Sequence, residues 1–162
     1  MSGERYVNGP VELRCGDWRE VLADVEMVDA VITDPPYSHR VEEGFRSGST
    51  MRDLENKPGM GYQPIGEDYC RAFVASWAPR NRGWFFIFGD HITFRWWEAA
   101  LTDAGLYVFQ PVVWVKTGAA PRMSGDGPAS HCEYAAVARP KRKEFLKWGS
   151  LRGWYEAGTV RH

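Results

Sequence analysis

The stretch DAVITDPPY, residues 29–37, decides the fold of this 162-residue chain. The apolar run from Ala30 to Ile32 is typical of a buried strand. The strand must end at Asp34, because the two prolines that follow have no backbone N–H to donate to a neighbouring strand. Open α/β sheets bind ligands beyond the carboxyl ends of their strands, so the sequence places Asp34 at a candidate site.

The same stretch offers a rigid site for a planar ligand that carries an NH2 group. The fixed φ angles of Pro35 and Pro36 hold the loop and present the Tyr37 ring beside the Asp34 carboxylate. Asp34 and a proline carbonyl would accept the two amine hydrogens, while Tyr37 stacks on the ligand face. The alternative interpretation is a proline-stiffened turn after a strand, with no ligand.

The tetrad Asp34-Pro35-Pro36-Tyr37 resembles the catalytic signature of the S-adenosylmethionine-dependent DNA methyltransferases that modify an exocyclic amine of adenine or cytosine. The resemblance implies an α/β fold with a Rossmann-like sheet, mostly parallel with an antiparallel edge hairpin. It also implies S-adenosylmethionine as cofactor, double-stranded DNA as partner and the tetrad as the catalytic residues. Asp in the first place favours adenine in this family, and Ser there favours cytosine. A glutamine amide methyltransferase uses a similar tetrad that begins with Asn.

Two further aspartates are predicted, with Asp34, to bind the cofactor. Asp17 follows a strand predicted from Val11 to Cys15 and opens a helix over residues 18–22. The order of strand, helix and strand predicts a βαβ unit, and the family has an acidic residue near the cofactor adenosine at the position of Asp17. Asp90 follows the apolar strand 83–89. A helix N-cap explains each aspartate equally well.

We predict one partial catalytic domain over residues 1–162. A helix over 67–78 has an apolar face that includes Phe73, Val74 and Trp77, and a helix that ends at residue 104 has one that includes Trp97 and Leu101. Strands are predicted over 106–116 and 132–138. Pro111 interrupts the first of these two strands. Trp114-Val115-Lys116 and His131-Cys132-Glu133 resemble motifs of the last two family strands. The polar segment 38–64 is predicted to be a mobile loop that closes over the site.

Basic residues are concentrated in the second half of the chain. Residues 1–70 hold 7 Lys/Arg and 14 Asp/Glu, whereas residues 71–162 hold 13 and 7. The densest cluster opens the basic segment 139–155, in which Trp148, Trp154 and Tyr155 are interleaved. We predict DNA phosphate contacts for Arg139, Lys141, Arg142 and Lys143. The alternative is a solvated surface.

The sequence also excludes several classes of protein. It has no apolar run long enough to span a membrane, and its N-terminus lacks the order of a signal peptide. The three scattered cysteines indicate reduced, buried thiols in a cytoplasmic protein rather than disulfides. No Cys/His spacing matches a zinc site, so we predict no metal.

The family's Gly-rich cofactor loop has no counterpart in this sequence. Gly59-Met60-Gly61 and Gly125-Asp126-Gly127 do not follow apolar strands, so neither qualifies. We therefore predict an incomplete methyltransferase sheet with an exposed apolar edge, and a second chain or missing C-terminal half that supplies the cofactor loop. A DNA-binding remnant without activity is the non-enzymatic alternative. Restriction–modification, phage protection and regulation remain open as biological roles.

Overall fold

A six-stranded mixed sheet forms the centre of the fold in this computed structural model, which describes residues 4–40, 63–118, 127–129, 131–141 and 151–158. In chain order the elements are β1 (Arg5–Asn8), β2 (Val11–Arg14), α1 (Trp18–Val21), β3 (Val28–Thr33), α2 (Glu67–Trp77), a 3-10 turn (Ala78–Arg80), β4 (Asn81–Gly89), α3 (Thr93–Asp103), β5 (Tyr107–Val108), β6 (Val112–Thr117), β7 (Cys132–Arg139) and β8 (Trp154–Gly158). The strand order is β3-β4-β7-β6-β8, and β5 pairs with β7. The predicted α/β class is confirmed.

Helices α2 and α3 bury their apolar stripes in one core with β4 and β7. The predicted positions Phe73, Val74 and Trp77 of α2 are buried, as are Trp97 and Leu101 of α3. The Phe73 and Trp97 rings meet edge to face, 5.6 Å between centroids. Burial of each large apolar side chain contributes about 1.5–3 kcal/mol. This core therefore holds the carboxyl end of β4 firmly against the start of α3.

The prediction that β3 is a buried strand is wrong for the described chain. β3 pairs in parallel with β4 and lies at one end of the strand order. Its Val31 packs against the core, whereas Ala30 is exposed and Ile32 is 75% exposed. The apolar run predicts that both faces of β3 are covered, but among the described residues only the face that carries Val31 packs against the core. In the described part of the chain, β3 therefore has one unpaired edge and an exposed apolar residue, Ile32.

The predicted βαβ unit at the start of the chain is also wrong. β2 pairs with β1 in a separate antiparallel hairpin, with Asn8 opposite Val11. Gly9, at φ +58°, and Pro10 form the two-residue connection. A glycine with positive φ in the first loop position suits the twist of a tight hairpin. This local pairing removes β2 from the central sheet.

The last strands follow the prediction more closely. Pro111 separates β5 from β6, and β6 pairs with β7 as the expected antiparallel hairpin. However, β8 pairs in parallel with β6 and continues the sheet beyond this hairpin. The sequence did not predict β8, because Trp154 and Tyr155 were interpreted as part of a nucleic-acid-binding segment. Both rings are about half exposed on this outer strand.

The three cysteines differ in their surroundings. Cys70 on α2 is fully buried, and burial raises the pKa of its thiol to about 12. Cys132 is half-buried and Cys15 is exposed, so the prediction of buried thiols is wrong for Cys15. Among the described helices, none is both long and apolar enough to cross a bilayer.

Candidate active site

The tetrad lies where the sequence predicted, at the carboxyl end of β3. Thr33, the last residue of β3, pairs with Ile87 of β4, and Asp34 follows directly. Asp34 is exposed, whereas Pro35 is buried and Tyr37 is half-buried. The buried proline fixes the loop against the protein while the carboxylate before it faces solvent. This arrangement presents an acceptor and an aromatic ring on one short, rigid segment.

Hydrogen bonds anchor the chain around Tyr37 on two sides. The Ile65 N–H, just before α2, donates to the Tyr37 carbonyl at 3.3 Å. The next residue, Ser38, is 3% exposed and donates to Asp90, which follows β4. The predicted mobile loop 38–64 therefore has a fixed first residue. Residues 41–62 of that loop lie outside the described residues.

The Asp90 carboxylate accepts four hydrogen bonds from described residues. Its Oδ2 accepts from the Ser38 N–H at 2.9 Å and the Ser38 hydroxyl at 2.6 Å. Its Oδ1 accepts from the Ile92 and Thr93 N–H groups, both at 2.8 Å, which caps the start of α3. Burial raises the pKa of the Asp90 carboxyl, but these donors outweigh burial and the net pKa is lowered. The carboxylate is thus a buried anion held entirely by protein donors.

The structure brings two of the three predicted cofactor residues to the same edge of the sheet. Asp34 and Asp90 follow the neighbouring parallel strands β3 and β4, so they lie at the same edge of the sheet. Asp17 caps α1, since its carboxylate accepts from the Arg19 N–H at 2.8 Å. The alternative of a helix cap therefore describes the observed contacts of both Asp17 and Asp90. Cofactor binding by the three aspartates stays a prediction.

The basic segment begins level with the middle of strand β4, whereas the tetrad lies at the carboxyl end. β7 runs antiparallel to β4, and its Ala138 pairs with Phe85, the fifth of the nine residues of β4. The Arg139 guanidinium lies 5.0 Å from the ring centre of Tyr107 and 5.5 Å from that of Phe109. Along β4, this level is four residues from the level of Asp34, roughly 13 Å at ~3.3 Å per residue.

The remaining predicted DNA contacts are less well defined. Lys141 is exposed, and Arg142 and Lys143 lie outside the described residues. Aromatic rings surround the Arg139 guanidinium, which also donates to the Pro140 carbonyl at 3.0 Å. Such cation–π contacts stabilise a fold as well as they serve a ligand. The DNA-contact prediction for this segment therefore remains untested by the geometry.

Two side-chain contacts near the tetrad end were not predicted from the sequence. The first is Ser38 with Asp90, two residues that are 52 positions apart. The second is the ion pair of Lys116 on β6 with Glu133 on β7. β7 begins where β4 ends, with Tyr134 opposite Gly89, so this ion pair lies at the same end of the sheet as Asp34. A correct prediction of the strand register, with Trp114 of β6 opposite Glu133 of β7, would have revealed the second pair.

No group of three or more His, Cys, Asp or Glu side chains in the described part of the chain is arranged to hold a metal ion. The tetrad end instead offers carboxylate and carbonyl acceptors, one half-buried aromatic ring and a buried hydrogen-bonded aspartate. Acceptors beside an aromatic face suit a planar ring with an amine.

Comparison with known proteins identifies the fold. No protein-family model matches the chain, and no curated protein matches its sequence. A structure of the M1.HpyAVI–SAM complex is similar with a TM-score of 0.52 and 24% identity, over 78% of this chain and 52% of that chain. A structure of M1.HpyAVI is similar with a TM-score of 0.57 and 19% identity, over 91% of this chain and 67% of that chain. The chain has the fold of the Rossmann-like methyltransferases. It spans about half of M1.HpyAVI in the first comparison and two thirds in the second.

Proposed function

We propose that this chain is the catalytic part of an S-adenosylmethionine-dependent DNA methyltransferase that methylates the exocyclic amine of adenine. The observation that carries the proposal is the exposed Asp34 carboxylate after β3, followed by a buried proline and a half-buried, anchored Tyr37. The tetrad's resemblance to the amino-methyltransferase signature supports it. So does the similarity of fold to M1.HpyAVI, which was solved in complex with SAM.

The proposed chemistry begins with a base that is turned out of double-stranded DNA. The Asp34 carboxylate and the Pro35 carbonyl accept the two hydrogens of its amine, while Tyr37 stacks on the ring. The amine lone pair is delocalised into the ring. The two hydrogen bonds favour the geometry of the amine nitrogen in which this lone pair points out of the ring plane. Positioning and electrostatics supply most of the rate, and no covalent enzyme intermediate is required.

The described residues fit one side of an S-adenosylmethionine site. This cofactor, when bound, supplies a methyl group on a positively charged sulfur. An exposed carboxylate at the end of β3 suits the neighbourhood of that charge. In the described ranges, however, no turn with two glycines connects a strand to a helix and lets backbone approach the ligand. We propose that the described residues supply the amine-binding side and that a further part supplies the remaining contacts.

A cofactor-binding part is proposed to pair with the open edge of β3. Among the described strands only β4 pairs with β3, and Ile32 is 75% exposed beside that edge. An open apolar strand edge is a template for a further strand. A second chain, or further residues of the same protein, would add a parallel strand there and bring the Gly-rich loop to Asp34. The larger size of M1.HpyAVI is consistent with such a part.

The proposed function is tested by the identity of the product. The chain, together with its cofactor-binding part, is incubated with unmethylated double-stranded DNA of mixed sequence and S-adenosylmethionine. The DNA is then digested to nucleosides and analysed by mass spectrometry. We expect N6-methyladenine. Detection of N4-methylcytosine would mean that the same chemistry acts on cytosine. DNA binding without any methylated base would favour the non-catalytic remnant. The proposed assembly is cytoplasmic, where DNA and the cofactor are both available.

A further inference from the structure

Resting on the proposed function, we infer that Asp90 is a positioning residue: through Ser38 it holds the Tyr37 ring at the angle needed to stack on the target base. Ser38 donates both its N–H and its hydroxyl to a single oxygen, Asp90 Oδ2, at 2.9 and 2.6 Å. Two donors from one residue fix both the backbone and the side chain of Ser38. Hydrogen bonds to an ionised acceptor are roughly twice as strong as neutral ones.

Asp90 is itself immobile, so it can serve as the fixed end of this contact. Its N–H donates to the Thr93 hydroxyl at 3.0 Å, and Thr93 is fully buried. Gly89 precedes it, and a Cβ added at Gly89 would lie 2.5 Å from Thr93 Oγ1. The glycine therefore permits this close approach of strand β4 to helix α3. The contact connects the tetrad loop to the buried junction of β4 with α3.

Tyr37 lies between two anchored points. Its own carbonyl accepts from the Ile65 N–H at 3.3 Å, and the next residue is held by Asp90. On the other side, Pro35 is buried and Pro36 restricts the backbone. Release of Ser38 would free the residue next to the ring while Asp34 stays in place at the end of β3. The expected loss is therefore in ring orientation rather than in the fold.

A role of Asp90 in the fold alone would use its other carboxylate oxygen, Oδ1. Capping of α3 uses Oδ1, which accepts from Ile92 and Thr93, whereas Oδ2 accepts only from Ser38 among the described residues. Asn is as good a helix cap as Asp, and its carbonyl can take the place of Oδ1. Its NH2 group would then face the Ser38 N–H and hydroxyl, and an NH2 group cannot accept from the N–H. Asp90→Asn therefore separates the two roles in one substitution.

The test compares Asp90→Asn and Ser38→Ala with wild type in the assembly that contains the cofactor-binding part. Methyl transfer to mixed-sequence double-stranded DNA is measured at varied S-adenosylmethionine. Because a displacement of about 1 Å can cost on the order of 100-fold in rate, we expect kcat to fall at least about tenfold in Asp90→Asn and less in Ser38→Ala, which keeps its N–H. KM for S-adenosylmethionine should stay within about twofold, because protein donors already occupy both oxygens of the Asp90 carboxylate; a larger rise in KM would overturn the inference in favour of the predicted cofactor contact of Asp90. Asp103→Asn, at the exposed end of α3, is the matched control.

Hydrogen exchange of the same variants separates a misplaced loop from a misfolded protein. In Asp90→Asn the Ser38 amide should lose protection, while the amides of α3 keep theirs. If wild type transfers no methyl group to DNA, the proposed function fails and this inference falls with it. If wild type is active and Asp90→Asn has the same kcat, only the positioning role is overturned. Equal loss of protection throughout α3 would also overturn it, because Asp90 would then act only as a cap.

Discussion

The carboxyl end and the middle of strand β4 carry different kinds of chemistry. At its carboxyl end lie Asp34 and Asp90, with the buried Ser38 between the tetrad loop and the core. Next to the middle of β4 lies Arg139, surrounded by aromatic rings. The carboxyl end holds acceptors on fixed backbone, and the basic segment begins level with the middle of the strand. Residues that suggest one DNA-binding function in the sequence therefore lie roughly 13 Å apart along the strand.

This separation predicts that the acceptors and the positive charges have different functions. The carboxyl end of a parallel pair of strands is the usual ligand site of an open α/β sheet. Phosphate contacts, by contrast, supply affinity without reading the base. If the proposal is right, changes at the carboxyl end should alter chemistry and base binding, while changes in the basic segment should alter affinity for any DNA.

The largest expected effect concerns the cofactor. Calorimetric titration of the purified 162-residue chain with S-adenosylmethionine should show a dissociation constant weaker than roughly 1 mM, because the donor's other contacts come from a further part. Addition of that part should restore tight binding. Tight, stoichiometric binding by the monomeric chain alone would show that the carboxyl end of the sheet holds a complete site, with Asp17, Asp34 and Asp90 the first residues to examine.

Removal of the Tyr37 ring should have the next largest effect. Tyr37→Ala should weaken binding of an extruded base by about 1–3 kcal/mol, the usual value for stacking on an aromatic ring. Tyr37→Phe keeps the face and should cost much less. Fluorescence of DNA that carries 2-aminopurine at the target position would report both variants. Equal damage in the two would assign the role to the hydroxyl group instead.

Neutral substitutions in the basic segment should act uniformly on DNA affinity. Replacement of Lys141, Arg142 and Lys143 by Gln should weaken binding to all DNA sequences and flatten its dependence on salt concentration. Arg139→Gln should instead lower thermal stability, since its guanidinium packs against Tyr107 and Phe109. An unchanged salt slope in the triple variant would make the segment a solvated surface.

Asp90 should contribute to stability in a pH-dependent manner. Its folded pKa lies below the ordinary value of 3.8, so the stabilisation is present above about that pH and is lost as the pH falls through the folded value. Urea unfolding at pH 7, 5 and 3 should show wild type more stable than Asp90→Asn at pH 7 and 5. The difference should shrink toward pH 3. A difference that stays constant across this range would mean that the pKa of Asp90 is not lowered in the folded protein.

The sequence predicted the parts of the fold that depend on local pattern. The apolar stripes of α2 and α3, the central strand β4 and the break at Pro111 were all visible as periodicity or as proline chemistry. Predictions failed where contacts with distant parts of the chain mattered. An apolar run cannot reveal whether one or both faces of β3 are covered, and a short strand such as β2 can pair locally or across the sheet.

The candidate site divides in the same way into features that the local sequence predicted and contacts that it did not predict. Asp34 and Tyr37 were found because a carboxylate, two prolines and a tyrosine are contiguous in the sequence. The Ser38–Asp90 contact could not be found, because it joins residues 52 positions apart and depends on the parallel register of β3 with β4. Arg139 was expected beside DNA because it opens a basic segment with interleaved aromatic residues, yet the antiparallel direction of β7 places it level with the middle of β4 rather than beside Asp34.

Substitution of Asp34 tests the central claim most directly. Asp34→Ala and its matched control Asp29→Ala, an exposed aspartate on the same strand, are each combined with the cofactor-binding part and assayed for N6-methyladenine in double-stranded DNA. Loss of the carboxylate that accepts the amine hydrogen should abolish product formation in Asp34→Ala, with unfolding close to that of wild type, while Asp29→Ala stays active. Methyl transfer at the wild-type rate by Asp34→Ala would contradict the assignment of this tetrad as the catalytic site.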